Sequence, residues 1–293
     1  MTVASHYDGS ASTYADQYDE SKLWTNEEYP ANFFRLKLVR ALLKEVGAKS
    51  VYEHGVGDAT PLVSVAGDGI RVAGNDVSPE MVKYAKANME SHGFDPEAIA
   101  HLDVQDTNAI AMERERAGEF DAVMALGVIP HVTDDRDFVA SMDAFLRPGG
   151  TMLLQFRNSM FSMFTFNRLT KEFILDELLV DTPESVRKVV TADLDQRLAV
   201  DKPPLRTRTT GDGYDEILSR FHNPFELAEV VKSFGYRDLS FHWYNYQPAY
   251  PMIAGQVDPK EYRQAQMDLE GDTSWRGMFL CSAGLIKATK NSA

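Results

Sequence analysis

The sequence predicts a doubly wound α/β fold, a mainly parallel sheet with helices on both faces and an inserted helical cap. Three observations predict it. Short apolar runs alternate with segments of helical period from residue 31 to residue 158. The runs are apolar almost throughout, as strands of a parallel sheet covered on both faces must be. The alternation breaks over residues 159–225 and then resumes.

The elements follow in order. ANFFRLKLVRALLKEV (31–46) puts Phe34, Leu38, Leu42 and Val46 on one helical face, and Gly47 supplies a stop. SVYEHG (50–55) is a strand, ATPLVSVAG (59–67) a helix and IRVAGND (70–76) a second strand. SPEMVKYAKANMESHG (78–93) is a helix with Ser78 at its N-cap, Pro79 at the first position and Glu80 in the first turn. AHLDVQD (100–106) is a third strand and FDAVMALGVI (120–129) a fourth. RDFVASMDAFLRPGG (136–150) is a helix closed by a Pro-Gly-Gly turn, and TMLLQFRN (151–158) a fifth strand. Residues 159–225, with the Pro/Thr/Gly-rich DKPPLRTRTTGDG, form a cap or lid. PFELAEVVKSFG (224–235) is again a helix, RDLSFHWYNYQ (237–247) a strand and GMFLCSAGLIKAT (277–289) a final strand on the same sheet. The chain thus divides into an N-terminal segment (1–30), an α/β core (31–158), the cap (159–225) and a C-terminal part (226–293) that completes the sheet.

Composition excludes several partners. The chain has 293 residues, 44% of them hydrophobic, enough for a sizeable core. A net charge of −14 repels phosphate backbones, so nucleic acid is not an expected partner. Cys281 is the only cysteine, which excludes an internal disulfide and a cysteine-based zinc site and suits a reducing compartment. No apolar run has transmembrane length, and the first residues lack the basic and apolar regions of a secretion signal. A cytoplasmic protein without a membrane partner is expected, with a homodimer left open.

Glu53 poses the chemical question, because a buried strand should not want a carboxylate. Ligands of open α/β sheets bind outside the carboxyl ends of the strands. Glu53 ends the first strand beside Gly55 and Gly57, which let the backbone turn tightly; Asp76 ends the second strand and Asp106 the third. An acid after the second strand suits the two hydroxyls of a ribose, and one after the third can accept from an adenine amino group. Together they describe a nucleoside-binding trough. The plainer readings are a simple strand-to-helix turn, a helix N-terminal acid at Asp76 and a turn residue at Asp106.

Several stretches resemble one family. VYEHGVGDAT (51–60) looks like the first motif of the class I S-adenosylmethionine-dependent methyltransferases, and VAGNDVSPEMVKYAKAN (72–88) like their second-strand motif. DVQDTNAI (103–110) resembles their adenine-contact motif, and FDAVMALGVIPHV (120–132) with FLRPGG (145–150) their fourth strand and the turn before the fifth. YADQYDE (14–20) is similar to a short helix that covers the cofactor in many small-molecule members. The resemblance implies a Rossmann-like fold, S-adenosylmethionine as cofactor, and methyl transfer to a small polar molecule. An O- or N-acceptor, such as a sugar or natural-product intermediate, is favoured. By the same resemblance Glu53 holds the methionine end of the cofactor through its ammonium group or a water, and Gly55 and Gly57 give that end room. Asp76 clasps the ribose, Asp106 the adenine with the Thr107 backbone N–H nearby, and Tyr14 and Tyr18 fold over the cofactor. Two positions depart from the pattern: Glu53 replaces the commoner aspartate, and Ala59 stands where a third glycine is often found, which is expected only to narrow the turn.

Two other classes compete. An NAD(P)-dependent oxidoreductase also has an acid about 20 residues after its glycines, but the full G-x-G-x-x-G is not met here, and Asp58 would face a pyrophosphate badly. A non-catalytic S-adenosylmethionine-binding protein would use the same trough. For catalysis, His131 follows the fourth strand and is a candidate general base, with a pocket-shaping histidine as the plainer reading. Strand alternation in SFHWYNYQPAYP (240–251) puts His242, Tyr244 and Tyr246 on one face and Phe241 and Trp243 on the other. His242 and Tyr244 are catalytic candidates. Tyr246, His222 and Arg157 are candidate substrate contacts, with aromatic packing or a surface ion pair as alternatives. A metal on His222 and His242 lacks a third ligand, so none is expected.

Overall fold

The computed structural model describes residues 18–24, 30–198, 219–250 and 256–292. Its strands are β1 (Ser50–His54), β2 (Arg71–Asp76), β3 (Ile99–His101), β4 (Phe120–Ala125), β5 (Leu146–Arg157), β6 (Tyr236–Tyr246) and β7 (Cys281–Lys290). The helices are α1 (Ala31–Glu45), α2 (Thr60–Gly67), α3 (Pro79–Ser91), α4 (Thr107–Ala117), α5 (Asp135–Ala144), α6 (Ser162–Thr165), α7 (Arg168–Phe173), α8 (Glu184–Arg197), α9 (Pro224–Ser233), α10 (Pro259–Leu269) and α11 (Gly277–Leu280).

The strands form one sheet in the order β3-β2-β1-β4-β5-β7-β6. β1 to β5 pair in parallel, and β7 inserts antiparallel between β5 and β6. The strand order reverses between β1 and β4, so the crossover helices part there and open a crevice at the carboxyl edge. Two apolar layers cover the sheet. Val39 and Leu43 of α1, Leu62 and Val65 of α2, and Ala85 and Met89 of α3 pack on one face with Val51, Met124 and Leu153. Ile110 of α4, Phe138 and Met142 of α5, and Leu227 and Val231 of α9 pack on the other with Tyr52, Val123 and Phe156. This is the doubly wound α/β fold that the alternation predicts. No helix among the described residues is long and apolar enough to cross a membrane.

Four local expectations are corrected. The buried stripe of α1 is Arg35, Leu36, Val39, Leu42 and Leu43, while Val46 is exposed, because the helix is rotated toward the sheet relative to the expected face. β3 ends at His101, so most of 100–106 is a turn, and Asp106 instead caps α4, a helix the periodicity did not isolate. Gly277 to Leu280 form the short α11 before β7 begins at Cys281. In β6, Asn245 has a φ of 63°, which breaks the side-chain alternation. Trp243 and Tyr246 consequently join one apolar layer and Tyr244 the other, so His242, Tyr244 and Tyr246 do not line one face.

Between β5 and α9 the described chain runs through α6, α7, a π-helical turn at Ile174–Leu178 and α8. Phe164 and Phe166 contact Tyr250 edge-on at 5.6 and 5.2 Å, which joins this segment to the chain leaving β6. The stretch DKPPLRTRTTGDG lies outside the described residues.

Gly74 in β2 shows how closely the switch point is packed. A Cβ there would come within 2.5 Å of the Glu53 carbonyl oxygen and of Val56 Cγ1. Gly74→Ala is therefore expected to cost about 1–3 kcal/mol by overpacking, measured as a lower urea midpoint with an unchanged m-value. An unaltered midpoint would show that β1 and β2 can separate at no cost.

Candidate functional site

The turn after β1 is built on β2. The N–H groups of Gly55 and Val56 both donate to the Asn75 carbonyl, at 2.8 and 3.0 Å. Gly55 has a φ of 69°, and a Cβ there would fall 2.4 Å from Val128 Cγ2, so the turn admits only glycine. Gly57 N–H then donates to Asp76 Oδ2 and Ser78 N–H to Asp76 Oδ1, each at 2.9 Å. Burial pushes the Asp76 carboxyl up, while bonds from Ser78 and Gly57 oppose the rise. The two carboxylate oxygens offer about four lone-pair sites, more than the Ser78, Gly57 and Val77 N–H groups take, so acceptor capacity remains for a ligand hydroxyl.

Glu53 is 1% exposed, and its Oε2 has no hydrogen-bond partner. Burial drives its carboxyl well above the ordinary range; the nearby Arg35 charge opposes this, and Asp58 and Asp76 add to it. Arg35 is itself buried in α1 and donates to the Tyr18 hydroxyl at 2.8 Å. Above Gly127, in the turn after β4, the Arg35 guanidinium and Gln155 Oε1 line the same small space. Gln155 Oε1 is a second buried acceptor without a donor, since its amide is engaged with the Phe156 carbonyl at 2.9 Å. Three buried or nearly buried carboxyls and one guanidinium thus gather where β1, β2 and β4 end.

The structure brings Glu53, Gly55, Gly57 and Asp76 together, as the spacing indicates. Asp58 does not point outward as an open rim charge: it accepts from Thr60 N–H at 3.0 Å and Thr60 Oγ at 2.8 Å and starts α2. Ala59 does more than narrow the turn, for it adopts a φ of 62°, a left-handed conformation that an L side chain resists. Asp106 is exposed and spends Oδ1 on the N–H groups of Asn108 and Ala109. Thr107, first in α4, lines a cavity of about 220 Å³ shared with Gln105 and Thr133. Leu102 N–H pairs with the Asp76 carbonyl at 3.0 Å, which sets Asp103 just beyond β3. Tyr18 is buried against Arg35, and Tyr14 lies outside the described residues.

The other candidates divide. His131 is buried in the turn after β4, at the same sheet edge. Arg157 ends β5 and bonds the Ser219 hydroxyl. His222 bridges to Asn158 and meets Asp135. His242 sits apart, bonded to Ser240 Oγ at 2.9 Å beside Lys287 and Glu45, and burial followed by the Lys287 charge lowers its pKa. Tyr244 packs in the core layer under α1, and Tyr246 is fully buried with its hydroxyl on the Asp272 carbonyl. Among the described residues no group of three His, Cys, Asp or Glu side chains is placed to hold a metal ion.

Sequence reasoning missed Arg35, Gln155, Asp103 and Asp135. Arg35 leaves a signal, a charge in the register of the apolar stripe through Val39 and Leu42. Asp135 leaves none, since an acid at a helix start is ordinary.

A parallel sheet with this switch point, glycine turn and acid on β2 defines a nucleoside-binding α/β protein. Residues 52–154 match the family described as methyltransferase domain. A ubiquinone biosynthesis O-methyltransferase of Xanthomonas axonopodis pv. citri is 31% identical over 143 residues, 49% of this chain and 57% of that protein. The namesake from Psychrobacter cryohalolentis is 25% identical over 199 residues, 68% of this chain and 75% of that protein. The chain therefore spans little more than half the length of the first of these relatives. Phosphoethanolamine N-methyltransferase 2 of Haemonchus contortus, solved with S-adenosyl-L-methionine, shares the fold at a TM-score of 0.51 and 14% identity, over all of this chain and 60% of that one. Residues 52–154 thus match a methyltransferase domain, and the cofactor that this match supports is S-adenosylmethionine. The residues present fit that group: the buried acceptors Glu53 Oε2 and Gln155 Oε1 lack donors, and an ammonium group donates.

Two predictions follow from the turn. A raised folded pKa means that the contribution of Glu53 to stability is full below the ordinary glutamate value of 4.5 and is lost as pH rises through the raised value. Glu53→Gln should therefore raise the thermal midpoint at neutral pH, with the gain vanishing below pH 4.5; a variant less stable than wild type at pH 7 would contradict the assignment. Ala59→Gly should stabilise the fold by about 1 kcal/mol by removing left-handed strain, read from the denaturant midpoint, and a loss of stability would argue against it.

Proposed function

We propose that the protein transfers a methyl group from S-adenosylmethionine to a hydroxyl or amine of a small polar molecule. The observation that carries this reading is the excess of carboxyl groups over cations at the switch point, where Glu53, Asp58 and Asp76 gather near the guanidinium of Arg35 and burial pushes all three carboxyls up. A ligand bearing positive charge and hydrogen-bond donors relieves that excess, whereas a dinucleotide would bring its pyrophosphate toward three carboxyls.

When bound, S-adenosylmethionine supplies a methyl group already activated on a sulfonium. The chain's own residues then bind and orient. Asp76, fixed by Gly57 and Ser78, offers its remaining lone pairs to the ribose hydroxyls. Asp103 or Asp106, with Thr107, lies on the adenine side. Glu53 and Gln155 accept from the ammonium end, and Arg35 suits the carboxylate of the methionine moiety. The acceptor stands over the ends of β4 and β5, near His131, Arg157 and His222. Holding the acceptor in line there supplies much of the rate enhancement. The O-methyltransferase names of the relatives support an oxygen acceptor, and the acidic surface supports a small molecule over nucleic acid.

Calorimetry with S-adenosylmethionine and S-adenosylhomocysteine tests the reading. Wild type should bind both, and Asp76→Ala should weaken binding roughly 10- to 100-fold, the loss expected for hydrogen bonds to a charged group. NADH binding without a response to either sulfur compound would reverse the conclusion. A panel of phenols, sugars and amines assayed with labelled S-adenosylmethionine then separates an enzyme from a binding protein.

A further inference from the structure

His222 and Asp135 form a buried pair that the sequence keeps 87 residues apart. His222 lies where the chain comes back from the cap segment, directly beside the end of β5. Its N–H donates to the Arg157 carbonyl at 2.8 Å, and its carbonyl accepts from Ser159 N–H at 3.0 Å. The ring therefore stands at the carboxyl edge of the sheet, where ligands of this architecture bind. Its Nε2 is 3.3 Å from Oδ1 of Asp135, the first residue of α5. Arg220 bonds the same carboxylate, and its backbone N–H holds the Pro130 carbonyl at 2.9 Å. The returning chain, the turn after β4 and the end of β5 are thus fastened to one another.

The other ring nitrogen decides the chemistry. Nδ1 of His222 is buried and has no hydrogen-bond partner among the described residues. A carboxylate can only accept, so Asp135 keeps the ring proton on Nε2 and leaves Nδ1 as a bare lone pair. Burial works against the charge of Asp135, but the bonds and charges of His222 and Arg220 outweigh it and hold the carboxyl below its ordinary range. Glu177 lies close by, bonded to Ser159 Oγ at 3.1 Å and Asn223 Nδ2 at 3.3 Å on either side of the ring's backbone, with the Glu226 charge acting on it.

On the methyl-transfer reading above, we propose that His222 is the general base of the site, that Asp135 is its positioning residue, and that the acceptor is consequently a hydroxyl group. The hydroxyl proton passes to Nδ1 as the oxygen lone pair forms the bond to the methyl carbon. The carbon–sulfur bond breaks with both electrons on sulfur, which becomes a neutral thioether. The imidazolium, paired with Asp135, returns its proton to water. His242 cannot take this role from its place beside Lys287 and Glu45.

Long-range 1H–15N NMR of the imidazole nitrogens, on the full chain with and without S-adenosylhomocysteine, tests the pair independently of turnover. The expected state is a ring protonated on Nε2, and Asp135→Asn, which weakens the acceptor that holds that proton, should let the tautomer shift toward Nδ1. A ring protonated on Nδ1, or one indifferent to Asp135→Asn, overturns the proposal. With the acceptor found in the panel, His222→Gln should lower kcat at least about 100-fold and abolish the rise of rate with pH, while S-adenosylhomocysteine affinity stays within about twofold. A retained rate, or acceptance of amines alone, also overturns it. Failure of wild type to bind S-adenosylhomocysteine, or to turn over anything in the panel, instead removes the reading beneath it.

Discussion

A carboxyl group taken out of water must lose its charge or find a partner, and the site is organised around one that has found only half of its partners. Glu53 is buried at the point where the strand order reverses, with one oxygen unmatched and two further acids nearby. Arg35 supplies a single compensating charge from α1 and is itself anchored to Tyr18. The arrangement carries a local excess of carboxyl groups and unmatched acceptors, which on the proposed reading suits a ligand with hydrogen-bond donors and positive charge.

Such an arrangement persists only on a stiff support. β1 is clamped by layers that leave its side chains no room: Tyr52 stacks on Phe145 at 4.0 Å, and His54 is fully buried against Asn75 and the Ser141 carbonyl. Burial lowers the His54 pKa to about 4, so the ring is neutral at physiological pH and adds no charge beneath Glu53. Asn75 serves both sides of this junction, its side chain holding His54 and its carbonyl receiving the turn of Gly55 and Val56. Strand packing and site geometry are therefore one problem, solved by the same residues.

The turn after β4 links two groups of polar side chains with different chemistry. Near its start, Gly127 leaves the space that Arg35 and Gln155 share; at its end, Asp135 meets His222. The first group accepts and carries negative charge, which suits a cationic donor. The second orients an imidazole, which suits removal of a proton. On the proposed reading their common support, residues 127–135, fixes both sides of the transfer. Arg220 strengthens that support by tying the chain that returns from the cap to Pro130 and Asp135.

The letters alone determined the α/β alternation, the boundaries of β1, β2 and β6 and the acids at Glu53 and Asp76, because each is local: apolar runs, glycine turns and an N-cap such as Ser78 act within a few residues. The capping of α4 by Asp106 was not visible, since the acid read as a ligand contact or a turn residue and the helix itself was not isolated. The left-handed Asn245, which sends Tyr246 and Tyr244 to opposite layers, had no signature in an otherwise regular strand pattern. Arg35 beneath Glu53 and Asp135 on His222 depend on packing between segments far apart in the chain. Periodicity can say that a residue is buried, but which charge it is buried against is decided only when the helices settle on the sheet.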